Sequence, residues 1–497
     1  MNGLPSGLPA AAQAYLDAFP PGEIVAFPLT SLDVTGLPVW IVALFPDDPA
    51  LDGIMPYGVG YGEAVGQAVR GALGEIAEMV FPTLSLSSRQ KTRGSYDDLI
   101  RSLGERAVAD PLTLCLPAGS PVGRYTVLEW VEARRWADGS TVLVPIDLAA
   151  YSAKELSPGY QPFTTIISNG MGAGPDLEWA VGHGLLELLQ RDGNGLLFRA
   201  LDQGVLLDLP GDLPPGTQEL LDRYIPAGIE IMPKFATDEF GMANLYCVGR
   251  EADGRDPPAP IMLTACGEAA HPDAGHALTK ALCEFAASRA RKAFAHGPRA
   301  LADSVAPPGY VARFTARSGG AAKSSDPRAF EAMREWTHAP AATLRGWLAD
   351  NVHAVHERKS FGSLPRAEVP DGQARSRLAL NAVLGQGFDV LYVDMSPPDA
   401  PLATVKVIVP GLEVETMSYA RIGERNAMKL LERDLGLVSF GEAVGSRRPI
   451  RLTPEAEERL GGVPWFDVAR AAEIVGPLYP LYREPEAHHV AWAETRA

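Results

Sequence analysis

Three stretches of the sequence place glutamates inside apolar segments with a helical pattern. Glu75 and Glu78 are three residues apart, so both project from one face of a helix predicted over residues 62–81. Glu187 stands between two pairs of leucines, and Glu284 has similar apolar neighbours. A charge in such surroundings needs a partner or a cleft. Carboxylates on neighbouring helices are ligands that Mg²⁺ prefers, and Mg²⁺ commonly bridges to substrate phosphates.

A second interpretation of these glutamates stays open. They can belong to solvated helix faces, or they can pair with arginines such as Arg70, Arg191 and Arg289. Spacing alone does not choose between a metal site and ordinary ion pairs.

Glycine-rich segments precede these helices. Residues 170–174 read Gly-Met-Gly-Ala-Gly and come just before a helix predicted over residues 177–191. A glycine loop at a helix N-terminus can present backbone N–H groups to a phosphate. The spacing matches neither GxGxxG nor GxxxxGK[ST], and no GxSxG motif is present. His183 and His271 have no second histidine or cysteine at metal-ligand spacing, so we expect structural roles for both.

The elements that must position these helices follow from hydrophobic periodicity and turn residues. The predicted strands cover residues 24–28, 37–45, 125–136, 140–147, 388–395 and 403–411. The Asp-Gly turn at Asp138 and Gly139 predicts that 125–136 and 140–147 form a β-hairpin. Pro82 is expected to end the first helix, and a third helix is expected to start near Ala274. Strands interspersed with long helices in this way predict a mixed α/β (α+β) fold.

Composition narrows the class of protein. The net charge of −17 excludes the basic footprint of nucleic-acid or anionic-membrane binding. The four cysteines are scattered without a CxxC pair, which fits a reducing compartment. The N-terminus lacks a basic region typical of a signal peptide, and no run of about 18 apolar residues occurs. These features predict a soluble, cytoplasmic protein.

We predict five segments along the 497 residues. They are an N-terminal extension (1–23), a core in two parts (24–300 and 376–425), an inserted segment (301–375) and a C-terminal appendage (426–497). Residues 301–375 are set apart because they are polar and contain many Pro, Gly and Ser residues, which predicts a partly flexible region. One helix is predicted within it, around residues 328–357.

Five blocks, taken in order, resemble the YcaO family. SNGMGAGPDLEWAVGHGLLELLQRD is similar to the family's Ser-Asn-Gly turn, small-residue loop and Gly-Leu-x-Glu-x-x-Glu-Arg helix. GALGEIAEMV resembles its Ser-Ala-x-x-Glu-x-x-Glu-Arg helix, and CGEAAHPDAGHALTKALCEFAASR resembles its Gly-x-Gly-x-His-Pro-Asp turn and the helix after it. DVTGLPVWIV and VDMSPPDAPLATVKVIVPGLE match in kind and order. The resemblance covers residues 24–300 and 385–425.

The resemblance implies a YcaO-like fold of mixed sheets, with glutamate-bearing helices lining a nucleotide cleft. It implies ATP and Mg²⁺ as cofactors, and O-phosphorylation of a backbone amide that leads to a thioamide or a heterocycle. The implied substrate is a ribosomal precursor peptide or a protein, with an accessory protein that delivers peptide or sulfur. A homodimer is compatible with it. The C-terminal ETRA lacks the Pro-x-Pro-x-Pro of azoline-forming members, which favours thioamide formation or an unknown role over azoline formation. The alternative is a catalytically degenerate scaffold or partner subunit that does not hydrolyse ATP.

Residue by residue, the match is uneven, and it leaves the catalytic residues unassigned. Metal-binding positions are held by Glu75, Glu78, Glu187 and Gln190; ATP-binding positions by Gly172, Gly174, Glu178, Ser288 and Arg289. Departures from the family pattern are Gly71 and Gly172 for Ser, Met79 for Arg, Pro175 for Asn, Trp179 and Gln190 for Glu, and Ala287 for Gln. Glu178 precedes Trp179 and is rotated from it by about 100° on a helix. Each lost charged hydrogen bond is worth about 1.5–3 kcal/mol, so the resemblance leaves nucleotide binding open. Glu178, Gln190, Asp176 and Asp192 are the residues that could compensate.

Overall fold

The computed structural model describes residues 3–318, 326–442 and 444–494, and both helices and strands occur throughout them. The helices are α1 (Ala10–Ala18), α2 (Val65–Ser88), α3 (Tyr96–Leu103), α4 (Ile146–Ala149), α5 (Leu177–Asn194), α6 (Pro215–Tyr224), α7 (Ala274–His296), α8 (Arg299–Val305), α9 (Tyr310–Arg317), α10 (Pro327–His338), α11 (Ala341–Ala349), α12 (Gly372–Gly385), α13 (Glu424–Arg433), α14 (Pro454–Leu460), α15 (Val468–Val475) and α16 (His489–Glu494). The strands are β1 (Gly22–Pro28), β2 (Val39–Pro46), β3 (Tyr57–Tyr61), β4 (Thr92–Gly94), β5 (Leu128–Arg135), β6 (Thr141–Pro145), β7 (Met171–Gly174), β8 (Val205–Asp208), β9 (Ile229–Thr237), β10 (Ala243–Glu251), β11 (Gly267–His271), β12 (Glu357–Ser360), β13 (Leu391–Asp394), β14 (Ala403–Ile408), β15 (Val438–Ser439), β16 (Arg447–Pro449) and β17 (Trp465–Asp467). The predicted mixed α/β fold is confirmed.

The chain divides into two compact units, each made of separate stretches of sequence. Unit 1 comprises Met1–Val80, Leu197–Glu368 and Pro477–Ala497, and unit 2 comprises Phe81–Leu196 and Val369–Gly476. The domain boundaries predicted from the sequence stay a prediction. The described part of the predicted insert, residues 301–375, includes helices α9, α10 and α11, and residues 319–325 lie outside the described residues.

Unit 1 contains two sheets. One is an antiparallel sheet in the order β1-β2-β3, and the other has the order β11-β10-β9-β8-β12, with β12 parallel to β8. Helix α7 packs on β10 and β11, and its side chains Leu278, Leu282 and Phe285 are fully buried. The apolar positions of α7 therefore form the centre of this unit's core.

Unit 2 is built on an antiparallel sheet in the order β4-β5-β13-β14-β7, with β6 paired to β5 as the predicted hairpin. Helix α5 packs on β7 and β14, and α12 packs on α5. A small sheet in the order β15-β17-β16 follows nearer the C-terminus.

Three sequence expectations are corrected. Helix α2 does not end at Pro82 but continues through it to Ser88, because the residues on both sides, such as Val80 and Leu86, are fully buried. Packing outweighs the cost of a proline inside a helix, which is about 3 kcal/mol. The glycine stretch after residue 170 is not a loop but strand β7. The single helix predicted near residues 328–357 is two helices, α10 and α11, with Pro340 at the start of the second.

Within the described residues, none of the helices combines the length and the hydropathy needed to cross a bilayer.

Candidate functional site

A strand that contains glycine leads into a long helix at three places: β3 into α2, β7 into α5, and β11 into α7. In each pair the helix backbone lies directly on a glycine of the strand. A Cβ atom at that glycine would lie 1.8–2.1 Å from a helix carbonyl oxygen, at Gly60 against Ala68, at Gly172 against Ala180 and at Gly267 against Ala281. Only glycine allows this approach. The three glutamate-bearing segments singled out in the sequence thus share one repeated strand–helix arrangement.

The β3–α2 pair holds the carboxylate of Glu75. The backbone N–H of Val59 in β3 donates to Glu75 Oε2 at 3.0 Å, while the side chain lies on the exposed face of α2. Glu78 is half-buried one turn further along, near the ring of Tyr15. Burial raises the pKa of Tyr15, and the charge of Glu78 raises it further. The two predicted metal ligands of unit 1 therefore share one face, and one of them is held by the strand backbone.

Glu284 on α7 is also held by β3. The hydroxyl of Tyr61 donates to Glu284 Oε2 at 2.7 Å. Burial raises the pKa of Tyr61 well above its usual range, and the charge of Glu284 adds to this. Tyr61 thus remains a hydrogen-bond donor at all ordinary pH values, and it fixes the orientation of Glu284.

Ser288 and Arg289, two residues predicted to bind ATP, lie inside unit 1. Arg289 is 1% exposed, and its guanidinium bonds to Asp33 at 2.7 Å and to Glu251 at 3.0 Å. The Ser288 hydroxyl accepts from the backbone N–H of Cys266 at 3.3 Å. These contacts anchor α7 in the unit. Their role in ATP binding stays a prediction.

In unit 2, Glu187 repeats the arrangement of Glu75. The backbone N–H of Gly170 donates to Glu187 Oε2 at 2.9 Å, and Arg191 lies 3.8 Å from the other oxygen. One turn on, Gln190 is only 5% exposed. Asp192, a candidate for compensating a lost ligand, is 1% exposed and forms a two-bonded ion pair with Arg425. Glu187 is therefore the accessible carboxylate on this part of α5.

Trp179 stands where the sequence resemblance predicts a nucleotide-site glutamate, and that correspondence stays a prediction. Its indole fills the space beside two glycines: a Cβ atom would lie 2.0 Å from the ring at Gly174 and 1.6 Å from it at Gly372. The guanidinium of Arg375 lies 4.7 Å from the ring centroid, and burial lowers the pKa of Arg375 to about 10. Asp176 caps α5 by accepting from the Trp179 N–H at 2.9 Å. A packed aromatic side chain thus fills the position where the sequence resemblance expects a nucleotide-site glutamate.

The remaining predicted ATP-binding residues of unit 2 differ in their settings. Gly172 and Gly174 are in β7, opposite Val405 and Ala403 of β14, so they are part of a sheet. Glu178 is partly exposed on the first turn of α5, with Arg377 at 3.5 Å. Their contact with a nucleotide stays a prediction.

One group of possible metal ligands was not predicted from the sequence. His271, Asp273 and His276 bring three atoms capable of binding a metal within 4.8 Å of one another. The expectation that His271 has no second histidine at ligand spacing is therefore wrong, because the turn before α7 folds His276 back over it. His271 Nδ1 accepts from the Asp273 N–H at 3.0 Å, and Asp273 caps the helix at the His276 N–H. The signal was the His-x-Asp-x-x-His spacing across a predicted helix start.

The repeated elements define a mixed α/β protein with paired carboxylate-bearing helices. The family model described as YcaO cyclodehydratase, ATP- and Mg²⁺-binding, matches residues 59–413. The chain belongs to the YcaO family, and the resemblance read from its sequence is confirmed.

Comparison with individual proteins and solved structures gives the following similarities. A Methanothermobacter thermautotrophicus protein described as uncharacterized is 28% identical over 402 residues, which are 80% of this chain and 91% of the relative. A heterocyclase in complex with substrate and cofactor has a TM-score of 0.59 at 17% identity, over 84% of this chain and 53% of its own. This chain thus spans about half the length of that heterocyclase. YcaO from Methanopyrus kandleri, bound with AMPPCP and Mg²⁺, has a TM-score of 0.55 at 17% identity, over 83% of this chain and 91% of its own. At these identities the two structures show the fold.

Proposed function

We propose that this protein binds ATP and Mg²⁺ and phosphorylates the oxygen of a backbone amide in a peptide or protein, leading to a thioamide or a heterocycle. The observation that carries the proposal is the same bond at two glutamates: Val59 N–H to Glu75, and Gly170 N–H to Glu187. In a family whose model is described as ATP- and Mg²⁺-binding, carboxylates held by backbone are preorganised ligands.

The donor set fits Mg²⁺ unevenly. In unit 1, Glu75 and Glu78 would hold the ion through carboxylate oxygens, which are its preferred ligands. In unit 2, Glu187 is retained, whereas Gln190 is neutral and 5% exposed, and Trp179 offers no ligand oxygen. We therefore expect one Mg²⁺ for each bound ATP. Bound Mg²⁺ would neutralise charge on the phosphates.

The chemistry balances in two displacements. The amide oxygen takes the γ-phosphoryl group, ADP leaves, and the amide N–H gives up its proton as the C=N bond forms. A sulfur or side-chain nucleophile then adds at the amide carbon and loses its proton, and phosphate leaves with the former amide oxygen. In a heterocycle the C=N bond remains, whereas in a thioamide the nitrogen takes a proton again. An amide oxygen is a poor leaving group, and phosphorylation makes it a good one. The proposed task of this chain is to position the phosphates and the amide. Hydrogen bonds that hold Glu75 and Glu284 within unit 1 and Glu187 within unit 2 support this proposal.

The proposed substrate is a ribosomal precursor peptide or a protein in modified-peptide biosynthesis. An accessory protein would deliver the peptide or the sulfur. The net charge of −17 favours a substrate segment that is not strongly acidic, because like charges repel at the encounter.

A second candidate is a YcaO scaffold or partner subunit that does not hydrolyse ATP. One observation favours it: Trp179 fills the space beside Gly174 and Gly372 in unit 2. Such packing stabilises the unit without any ligand.

Calorimetric titration with Mg-ATP separates the two candidates. We expect saturable binding to the wild-type protein and a loss of about tenfold or more in Glu75→Gln, since one charged ligand is removed. Glu230→Gln is the matched control, because Glu230 is a half-exposed glutamate of unit 1 paired with Arg250. Absence of binding up to about 5 mM nucleotide would exclude the enzyme and leave the scaffold.

A further inference from the structure

A separate pocket with a cavity volume of about 60 Å³ lies inside unit 2. Strand β14, helix α4 and the segment after β14 line it, mostly with leucine, isoleucine and valine side chains. Its polar lining consists of Asp147, Asn169, Lys406, Glu413 and Arg421. The glutamates and glycines proposed for the nucleotide do not line it. The pocket therefore needs an explanation of its own.

Arg421 is the least satisfied polar group of this lining. It is 4% exposed, and its Nε and Nη2 donate to the backbone carbonyls of Cys115 and Leu114 at 2.9 and 3.1 Å. Its Nη1 is buried and has no hydrogen-bond partner among the residues that the structure describes. The hydrogen bonds described for this guanidinium therefore go to neutral carbonyls and not to a carboxylate, although the charges of Glu413 and Asp147 lie close enough to act on it. One donor group remains for a ligand.

The backbone around this guanidinium is strained. Cys115, whose carbonyl holds Nε, has φ of 50°, and Ala420, next to Arg421, has φ of 52°. Non-glycine residues rarely adopt this left-handed conformation, and where they do they cluster at functional sites. The left-handed residues Cys115 and Ala420 thus position the carbonyl that Arg421 contacts and the backbone of Arg421 itself.

The two carboxylates of the pocket are already engaged by other donors. Asp147 accepts from the Tyr160 hydroxyl at 2.7 Å and from the Phe163 N–H at 2.8 Å. Glu413 accepts from the backbone N–H groups of Gly423 and Asn426 at 2.8 and 2.9 Å. These bonds direct both carboxylates to partners other than the Nη1 of Arg421.

The charge balance of the pocket favours an anion near neutral pH. Burial raises the pKa of Glu413 to about 7, so its carboxyl is partly protonated there. Lys406 places an ammonium group in the same lining and donates to the Ile167 carbonyl at 2.6 Å. Two cationic side chains thus face carboxylates of which one is partly neutral.

We propose that this pocket binds a small aliphatic carboxylate. The carboxylate group accepts from Arg421 Nη1, as guanidinium and carboxylate pair well in geometry and charge. The aliphatic part packs on the leucine and valine side chains of the wall, which inorganic phosphate cannot do. Leu148, Ile167 and Asn169 are half-buried and form the entrance.

The test is calorimetric titration of the full chain with sodium propionate and sodium isobutyrate, and with inorganic phosphate in a separate arm. We expect both carboxylates to bind with dissociation constants near or below about 1 mM, and phosphate at least about tenfold more weakly. Arg421→Gln should weaken isobutyrate at least about tenfold. Arg135→Gln, a buried arginine of unit 2 paired with Asp389, is the control and should bind as the wild type does.

A second variant protects the test against misfolding of Arg421→Gln. Leu148→Trp adds bulk at the half-buried entrance and should abolish isobutyrate binding with an unchanged circular dichroism spectrum. The proposal is overturned if neither carboxylate binds by about 10 mM. It is also overturned if phosphate binds as tightly as isobutyrate, or if Leu148→Trp leaves isobutyrate affinity unchanged.

Discussion

The β3–α2 region of unit 1 and the β7–α5 region of unit 2 share one design and differ in what surrounds the glutamate. In both, a strand glycine contacts the helix backbone, and a strand N–H holds the carboxylate. On α2 the residues beside Glu75 are the small, exposed Gly71 and the acidic Glu78. On α5 they are the buried Gln190 and the packed Trp179. The bond between strand and glutamate is thus the same in the two regions, whereas the side chains around the glutamate differ. We propose that the β7–α5 region has lost metal ligands that the β3–α2 region keeps.

The sharpest way to break this comparison is to restore the family's serine in both regions. Gly172→Ser should destabilise the protein by about 3 kcal/mol or more, because a Cβ there meets the Ala180 carbonyl oxygen at 2.1 Å. Gly71→Ser should be neutral within about 0.5 kcal/mol, because its nearest neighbour is 3.6 Å away at Gly60 Cα. Thermal unfolding of the two variants measures this. Equal effects would show that the two helices are not packed as described.

Removing the indole tests whether the β7–α5 region depends on it. Trp179→Ala should cost about 3 kcal/mol in the free energy of unfolding, since it empties the space beside Gly174 and Gly372. Trp179→Phe keeps an aromatic ring and should cost about 1 kcal/mol. Urea unfolding followed by fluorescence and circular dichroism gives both values. An Ala variant as stable as the wild type would mean that the ring carries no packing.

Neutralising the retained glutamate of α5 tests its chemistry apart from its fold. Glu187→Gln should reduce ATP turnover about 100-fold, about 2.7 kcal/mol, because a charged metal ligand is lost. The amide oxygen of glutamine can still accept from the Gly170 N–H, so the melting temperature should hold. An unchanged turnover rate would place the site elsewhere.

Replacing Arg375 by an apolar residue should stabilise the protein. Its Nε and Nη2 are buried without hydrogen-bond partners among the described residues, and burial lowers its pKa to about 10. Arg375→Met should raise the free energy of unfolding by about 1 kcal/mol, after subtracting the lost contact with the Trp179 ring. A loss of stability instead would reveal a partner that holds the guanidinium in place.

The smallest effect is expected at Glu178. Its nearest atom to Arg377 is 3.5 Å away and both side chains are partly exposed, so Glu178→Gln should change the free energy of unfolding by less than about 0.5 kcal/mol. ATP affinity should fall about threefold if Glu178 partly replaces the missing glutamate at Trp179. An affinity equal to that of the wild type would remove Glu178 from the proposed site.

The sequence predicted the repeated strand–helix units because their signals are local. Glycines before a helix, and a glutamate between leucines, appear within one stretch of residues, and the β5–β6 hairpin followed from its Asp-Gly turn. Continuation of α2 through Pro82 was not predictable, since it depends on burial of both flanks by distant parts of the chain.

The side chains that pack around the glutamates could not be predicted from the sequence either. Trp179 packs on Gly372 and Arg375, which lie almost two hundred residues later, so no local pattern announces the contact. The same holds for Arg421, whose bonds to Leu114 and Cys115 join segments about three hundred residues apart. Contacts of this kind come from tertiary packing. The sequence shows that Trp179 departs from the family pattern, but it does not show which residues contact the indole.

Counting metal ions tests most directly the claim that the β7–α5 region has lost a ligand set that the β3–α2 region keeps. The protein is saturated with AMPPCP, and bound Mn²⁺ is measured by electron paramagnetic resonance. We predict one Mn²⁺ for each protein–nucleotide complex in the wild type, and two after Trp179→Glu combined with Gln190→Glu. Two Mn²⁺ in the wild-type complex, or no nucleotide-dependent Mn²⁺ at all, would contradict the account.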